Sequence, residues 1–264
     1  MDRVGEDVAR ASREGARFVA LPENFAYLGS ELGKHRQAER IADAVMERIP
    51  ALAREFGVYI LAGGFPVRTE SGNPRSRAYN RAVVADPEGR FIAQYDKIHL
   101  FDITLSDEEQ YRESSLVAAG RPEAVVCDMA DSQADPVDGK DGIVRLGLSI
   151  CYDVRFPELY RRLSEQGADV LCVPSAFTRP TGAAHWETLL RARAIENTCY
   201  VIAPAQTGTH GKKRTTHGHS LIIDPWGTVL ADAQKKPGVI YAEIDTGHVL
   251  KIRQKLPSLS HRKL

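Results

Sequence analysis

The sequence predicts an α/β fold: a four-layer α-β-β-α sandwich with an internal pseudo-two-fold repeat, lacking the strand that would open its first half. Three blocks recur in the same order: GARFVALPENF (15–25) with GADVLCVPSAF (167–177), EFGVYILAGG (55–64) with ENTCYVIAPA (196–205), and VVADPEGRFIA (83–93) with LIIDPWGTVLA (221–231). A repeat offset of about 140 to 150 residues implies two similar α-β-β halves. The second observation is the kind of segment that recurs. Short apolar runs alternate with helix-period stretches, and two such sheets bury their apolar strands by packing face to face with the helices outside. The third is an asymmetry. A strand (Ile143 to Ile150) and a helix (Arg155 to Gln166) precede GADVLCVP, whereas the first half begins directly with a helix. The missing strand would be the partner of the one that leads to Cys151, which suggests either truncation or a late start.

In chain order, Val4, Val8, Ala9 and Ala11 predict a short amphipathic helix that runs to Gly15. ARFVALPENF is then an apolar strand stopped at Pro22, with Glu23 at its tip. Ile41, Val45, Ile49, Leu52 and Phe56 mark one face of a second helix closed by Gly57, and VYILAGGF is a buried strand. From Tyr79 to Asp96 two strands flank Asp86-Pro87-Glu88-Gly89, whose residue types suit a type I turn. That hairpin ends in DKIHLF, and Asp102 to Gly120 reads as polar loop carrying YRESS.

The second half opens with LGLSI, which delivers Cys151 to the point where the period changes from strand-like to helix-like. Trp186, Leu189, Leu190 and Ile195 predict a core or interface helix. His217 and His219 fall on one face of a predicted strand and lack a third metal ligand at suitable spacing. Near the C-terminus TGHVLKIRQK predicts a helix capped by Thr246, followed by a tail broken at Pro257.

Composition narrows the function classes. Of 264 residues, 35 are Lys or Arg and 35 Asp or Glu, and this zero net charge offers no footprint for nucleic acid or an anionic membrane. No apolar run reaches the roughly 18 residues of a membrane span. No Pro/Gly/Ser-rich linker divides the chain, so residues 1–264 read as one domain. The N-terminus lacks a signal pattern, and the four cysteines show neither metal-ligand spacing nor disulfide density. A cytoplasmic setting, no metal and no cofactor are the expectation.

Four polar residues stand out by position: Glu23 after ARFVALP, Lys97 after FIAQYD, Glu113 in YRESS, and Cys151 after LGLSI. Functional groups in α/β sheets gather at strand ends, where backbone pairing fixes the strand and leaves its tip free. Taken singly, each has a bland reading. Cys172 and Cys199 show that a cysteine in an apolar strand is ordinary core, Glu23 suits a cap, Lys97 could pair with Asp96 or Asp102, and Glu113 could be solvated. Cys151 differs because a helix start following it would lower its pKa.

LPENF, YDKIHLFD, GLSICYDVRFPELYR and PSAF…TGAAHWETLLRARAIENTCYV resemble the nitrilase superfamily of carbon-nitrogen hydrolases, in particular the amidases related to deaminated glutathione amidase and ω-amidase. The resemblance covers nearly the whole chain and rests on three separated motifs in order. It implies a Glu-Lys-Cys triad on Glu23, Lys97 and Cys151, with a second glutamate at Glu113. A thiol of pKa about 8.5 is only a few per cent thiolate at neutral pH and needs a base. Glu23 would serve, with a carboxyl pKa raised by burial near Glu113, while Lys97 and the backbone N–H of Tyr152 would hold the oxyanion. A papain-like pairing of Cys151 with His99 lacks any local signature.

The resemblance also implies the substrate class: a small carboxylate-bearing amide, deaminated glutathione first, then an ω-amide of a 2-oxo acid or an N-carbamoyl amino acid. Arg155, Arg179, Thr181 and His185 are the positions available to bind it, with Arg155 able instead to pair Asp153 or Glu158. The implied partners are that amide, water, and a second copy of the chain in a homodimer or larger even assembly. A non-catalytic binding or scaffold protein of the same fold is the alternative from another class, and it would not require Glu23, Lys97 and Cys151 together.

Overall fold

The computed structural model describes residues 1–104, 110–130, 142–211 and 214–263. The first half comprises α1 (Asp2–Arg13), β1 (Phe18–Ala20), α2 (Glu31–Arg36), α3 (Ala38–Phe56), β2 (Tyr59–Arg68), β3 (Ala78–Ala85) and β4 (Phe91–Asp96). Short elements follow: β5 (Asp102–Thr104), β6 (Gln110–Arg112), a 3-10 turn (Glu113–Ser115) and β7 (Val117–Ala118). The second half comprises β8 (Val125–Ala130), β9 (Ile143–Leu148), a 3-10 turn (Cys151–Arg155), α4 (Pro157–Glu165), β10 (Val170–Cys172), α5 (Arg179–Asn197) and β11 (Tyr200–Ala203). It closes with β12 (Thr207–His210), β13 (Arg214–His217), β14 (Leu221–Ile223), β15 (Val229–Asp232) and α6 (Thr246–Lys255).

The repeat is visible in the pairing. In one sheet β1 is parallel to β2, and β2, β3 and β4 are successively antiparallel. In the other, β10 is parallel to β11, and β11, β14 and β15 follow the same pattern. The asymmetry is visible too: β10 lies between β9 and β11, whereas among the described residues β1 pairs with β2 alone. β8, an edge strand antiparallel to β9, has no element assigned to it from the sequence. Only Cys127 and Met129 of its six residues are buried, so its periodicity is weak.

Period-two alternation gives each strand two jobs. On β2 and β3, Ile60, Ala62, Val83 and Ala85 pack with Val8, Val45, Ile49 and Leu52 of α1 and α3. Their neighbours Leu61, Ala82 and Val84 face the other way and join Leu146, Leu148, Val170 and Cys172 between the sheets. Leu159, Leu163, Trp186 and Leu190 of α4 and α5 cover the outer face of the second sheet, completing four layers. Among the described residues no helix is long and apolar enough to cross a membrane.

Local chemistry accounts for the boundaries. Gly57 closes α3 at φ +63°, and the Asp86 carbonyl accepts from Gly89 N at 2.8 Å while its Oδ1 takes Glu88 N and Arg90 N, which fixes the turn between β3 and β4. Several expectations need correction. The stretch read as loop from Asp102 contains the β5–β6 hairpin, whose three register pairs tie Asp102 to Arg112; residues 105–109 lie outside the description. Short polar strands carry too few apolar positions to show a period. Helix α6 takes Asp245, not Thr246, as its N-cap residue. β13 ends at His217, and Gly218 (φ +79°) and His219 (φ +55°) turn the chain, so the two histidines do not share a strand face; their rings stack instead at 4.6 Å.

Gly63 lets β2 pass beneath the tip of β1. A Cβ there would stand 2.4 Å from the Leu21 carbonyl oxygen and 2.6 Å from that of Pro22, backbone atoms that cannot swing aside. Gly63→Ala is therefore expected to destabilise the fold by about 1–3 kcal/mol, read by denaturant unfolding.

Candidate active site

Strand direction brings the four sequence-derived residues to one end of the paired sheets. β1 and β4 run in the same sense within their sheet, so Glu23 and Lys97, which follow them, emerge at the same edge. Asn24 N donates to the Gly64 carbonyl at 2.7 Å, and Gln206 Nε2 from the opposite half donates to the Glu23 carbonyl at 3.0 Å. Lys97 N donates to the Asn80 carbonyl at 2.9 Å. Glu113 opens the 3-10 turn after β6, and Cys151 the one after β9.

The geometry is compact. Lys97 Nζ donates to both Glu113 oxygens at 3.0 and 2.7 Å and stands 3.6 Å from Glu23 Oε1. Glu23 Oε1 accepts from Asn80 Nδ2 at 2.7 Å, and its Oε2 from Ala176 N at 2.9 Å. Asn80 Nδ2 also reaches Glu113 Oε1 at 3.4 Å, and Phe101 N donates to Glu113 Oε2 at 2.7 Å. Cys151 and the Glu23 carboxylate lie close enough for each to shift the other's pKa. Glu23, Lys97 and Cys151 are all buried.

Cys151 adopts φ +51°, a region that costs an L-residue on the order of 1–3 kcal/mol. Asp153 holds it there. This fully buried carboxylate accepts from Ile150 N at 2.9 Å, Tyr95 OH at 2.7 Å, and His99 N and Nδ1 at 3.1 and 2.7 Å. His99 is thus tied to Asp153, and its ring stacks on Phe156 at 3.7 Å. Among the described residues no acceptor is placed for the Tyr152 N–H, which leaves it available to an oxyanion.

Two electrostatic expectations reverse. Burial, reinforced by Glu23 and opposed by Lys97, pushes the Cys151 thiol well above its ordinary value. No helix start offsets this: Cys151 N donates to the Pro174 carbonyl, and α4 begins only at Pro157. Burial would raise the Glu23 carboxyl, but Lys97, Lys34 and hydrogen bonds from Cys151 and Asn80 together hold it below the usual range. Burial would likewise lower Lys97, yet Glu113 and Glu23 keep its ammonium pKa raised. The resting pair is a neutral thiol beside a carboxylate, poised for proton transfer when an electrophile arrives.

The cluster lines a cavity of about 300 Å³. Phe101, Tyr111, Tyr152 and Phe177 supply aromatic wall, and Thr181 lines it as well. Arg155, Arg179 and His185 do not. Arg155 lies against the outer side of that wall, its guanidinium 5.8 Å from the Tyr152 ring and 5.5 Å from that of Phe177, with Nη2 3.3 Å from His185 Nδ1. It pairs with neither Asp153 nor Glu158, and Arg179 and His185 are exposed on α5. The cavity cations other than Lys97 are Lys34, Arg112 and Arg214, which the sequence reading did not single out. Asn80 also went unnoticed, although an asparagine in the alternating run AYNRAVV marks an inward polar group.

A buried cysteine in a strained turn, a buried carboxylate and a buried ammonium thus meet at strand ends between two apposed sheets. The carbon-nitrogen hydrolase family matches residues 1–254, and the chain belongs to that family. It is 54% identical over 254 residues to the deaminated glutathione amidase of Synechocystis, covering 96% of this chain and 88% of that one. The crystal structure of the Caenorhabditis elegans NitFhit protein superposes with a TM-score of 0.84 at 39% identity, covering 99% of this chain and 60% of that longer fusion chain. A Saccharomyces cerevisiae member of the nitrilase superfamily superposes with a TM-score of 0.77 at 28% identity, covering 97% and 87%.

Proposed function

We propose that the chain hydrolyses the carbon–nitrogen bond of a small carboxylate-bearing amide, with deaminated glutathione the first substrate to test. The observation that carries this is the meeting of Cys151, the Glu23 carboxylate and the Lys97 ammonium in a cavity that Lys34, Arg112 and Arg214 also line. The Synechocystis relative's name supplies the particular amide.

Glu23 takes the thiol proton as Cys151 Sγ attacks the amide carbonyl. Lys97 Nζ and the Tyr152 N–H receive the oxyanion, where a single donor is worth about 10²–10³ in rate. Collapse breaks the C–N bond, and the protonated Glu23 returns the proton to the leaving nitrogen. Water then enters, Glu23 removes its proton, and attack on the thioester releases the acid and restores the thiol. Glu113 keeps Lys97 aimed through its two-oxygen grip. Cys199 Sγ donates instead to the Ala168 and Asn197 carbonyls, each at 3.1 Å.

Mass spectrometry of the chain with deaminated glutathione and with α-ketoglutaramate should show turnover, or an acyl adduct on Cys151 and on no other cysteine. A folded sample that gives neither would overturn the reading. Four free cysteines suit a reducing, cytoplasmic setting. Exposed Ile195 and Trp226 suit contact with a second copy of the chain, which sedimentation would register.

A further inference from the structure

The cavity is lined by more than the catalytic charges. Lys97 sits between the carboxylates of Glu23 and Glu113, and the other cations of the lining, Lys34, Arg112 and Arg214, outnumber the remaining carboxylate, Glu31. Glu31 shows what these cations can hold. Its Oε1 lies 2.6 Å from Arg214 Nη1 and its Oε2 2.8 Å from Lys34 Nζ, so two cations already grip one carboxylate between them. Burial would raise the Glu31 carboxyl, yet those two cations hold it down to about 2, and it stays charged at neutral pH. One carboxylate nonetheless leaves positive charge in excess.

Arg214 has capacity left. Nη1 is engaged with Glu31, while Nε is buried and has no acceptor among the described residues. Nε has no exposed surface, so a carboxylate in the cavity would be met by Nη2, for which no acceptor is placed among the described residues, through a charge-assisted hydrogen bond. Arg214 also lies close enough to Glu23 and Cys151 for their charges to raise its pKa. A ligand carboxylate bound there would thus lie a few atoms from the thiol. Lys34, buried and anchored to Asn24 Oδ1 at 3.0 Å, closes the other side.

Building on the amidase reading, we propose that Arg214, assisted by Lys34, is the specificity-determining clamp for the substrate carboxylate. The Glu23, Lys97 and Cys151 cluster takes the neutral amide, and Arg214 with Lys34 orients the molecule by its charge. Arg155, Arg179 and His185 lie outside the cavity lining and take no part in this grip.

Binding can be read without turnover. On the Cys151→Ala chain, calorimetry would compare glutaramate with its uncharged methyl ester. Adding Arg214→Gln should weaken glutaramate by about 10- to 100-fold, as expected for a lost charge-assisted hydrogen bond, and change the ester by less than about 3-fold. Arg214→Lys should fall between. Equal loss for both ligands, or none for glutaramate, would overturn the clamp. If the Arg214→Gln chain does not fold, Lys34→Met takes its place in the same comparison, with the same losses expected and the same results overturning the clamp. Turnover of glutaramate with Cys151 intact is a separate readout: clamp behaviour without turnover would overturn the amidase chemistry and leave the clamp standing.

Discussion

Glu23→Gln is expected to lower kcat by about 10²–10⁴-fold while leaving substrate affinity nearly unchanged, because the change removes the only base in contact with the Cys151 thiol among the described residues. The substitution keeps the shape of the side chain but not its pattern of acceptors. Asn80 Nδ2 and Ala176 N both donate to Glu23, so a glutamine must turn its own NH₂ toward one of them. Some loss of stability follows, and single-turnover kinetics on a sample verified as folded separates it from lost chemistry. The pH profile of the parent tests the same assignment. Glu23 must be ionised to accept a proton, and its pKa is held below the ordinary carboxyl value. The acid limb of kcat/KM should therefore fall below the ordinary glutamate range. A limb near pH 6 to 7 would contradict a lowered base.

That lowered value also shows where sequence stops being informative. The strand tips bearing Glu23, Lys97 and Cys151 are legible because period two, a terminating proline and a change to helical period are local signals. The repeat is legible because 15–25 and 167–177 carry the same order of small, apolar and turn residues, and β1 and β10 do take equivalent places in their sheets. The sign of a pKa is not local. It depends on Lys34 from α2 and Asn80 from β3 reaching one carboxylate, and neither spacing nor composition announces that meeting.

The cavity cations Lys34 and Arg214 escaped for the same reason. Glu31 and Arg214 lie 183 positions apart and meet across the two halves. Arg155, by contrast, drew attention by standing four residues from Cys151, yet the 3-10 turn carries its guanidinium onto the outer face of the Tyr152 and Phe177 rings. Proximity in sequence to a nucleophile says little about which side of a wall a long side chain takes. Helix α2 shows a related limit, since six residues capped by the Ser30 hydroxyl are too few to show an amphipathic period.

Lys97→Met should damage both stability and rate. The ammonium is buried against two carboxylates, 2.7 Å from Glu113 and 3.6 Å from Glu23. Removing one partner from a buried ionic cluster costs about 3–5 kcal/mol, because the remaining charges stay desolvated. In a chain of this length that lowers the melting temperature on the order of 10 °C. Loss of an oxyanion donor should take a further 10²–10³, roughly, from kcat. The diagnostic feature is the dependence on pH. In the parent, Glu23 has a depressed pKa, so its contribution to stability is present above the ordinary carboxyl value and is lost as pH falls through the folded one. Without Lys97, the buried Glu23 shares Asn80 Nδ2 with Glu113 and faces it as a like charge, which raises the Glu23 pKa. A raised carboxyl binds its proton more tightly in the folded state, so the variant should lose stability as pH rises from about 4.5 toward 7.5. Melting curves across that range would decide the matter. A Lys97→Met chain whose melting temperature stays level or climbs with pH would mean that the ammonium does not hold the Glu23 carboxylate in its charged form.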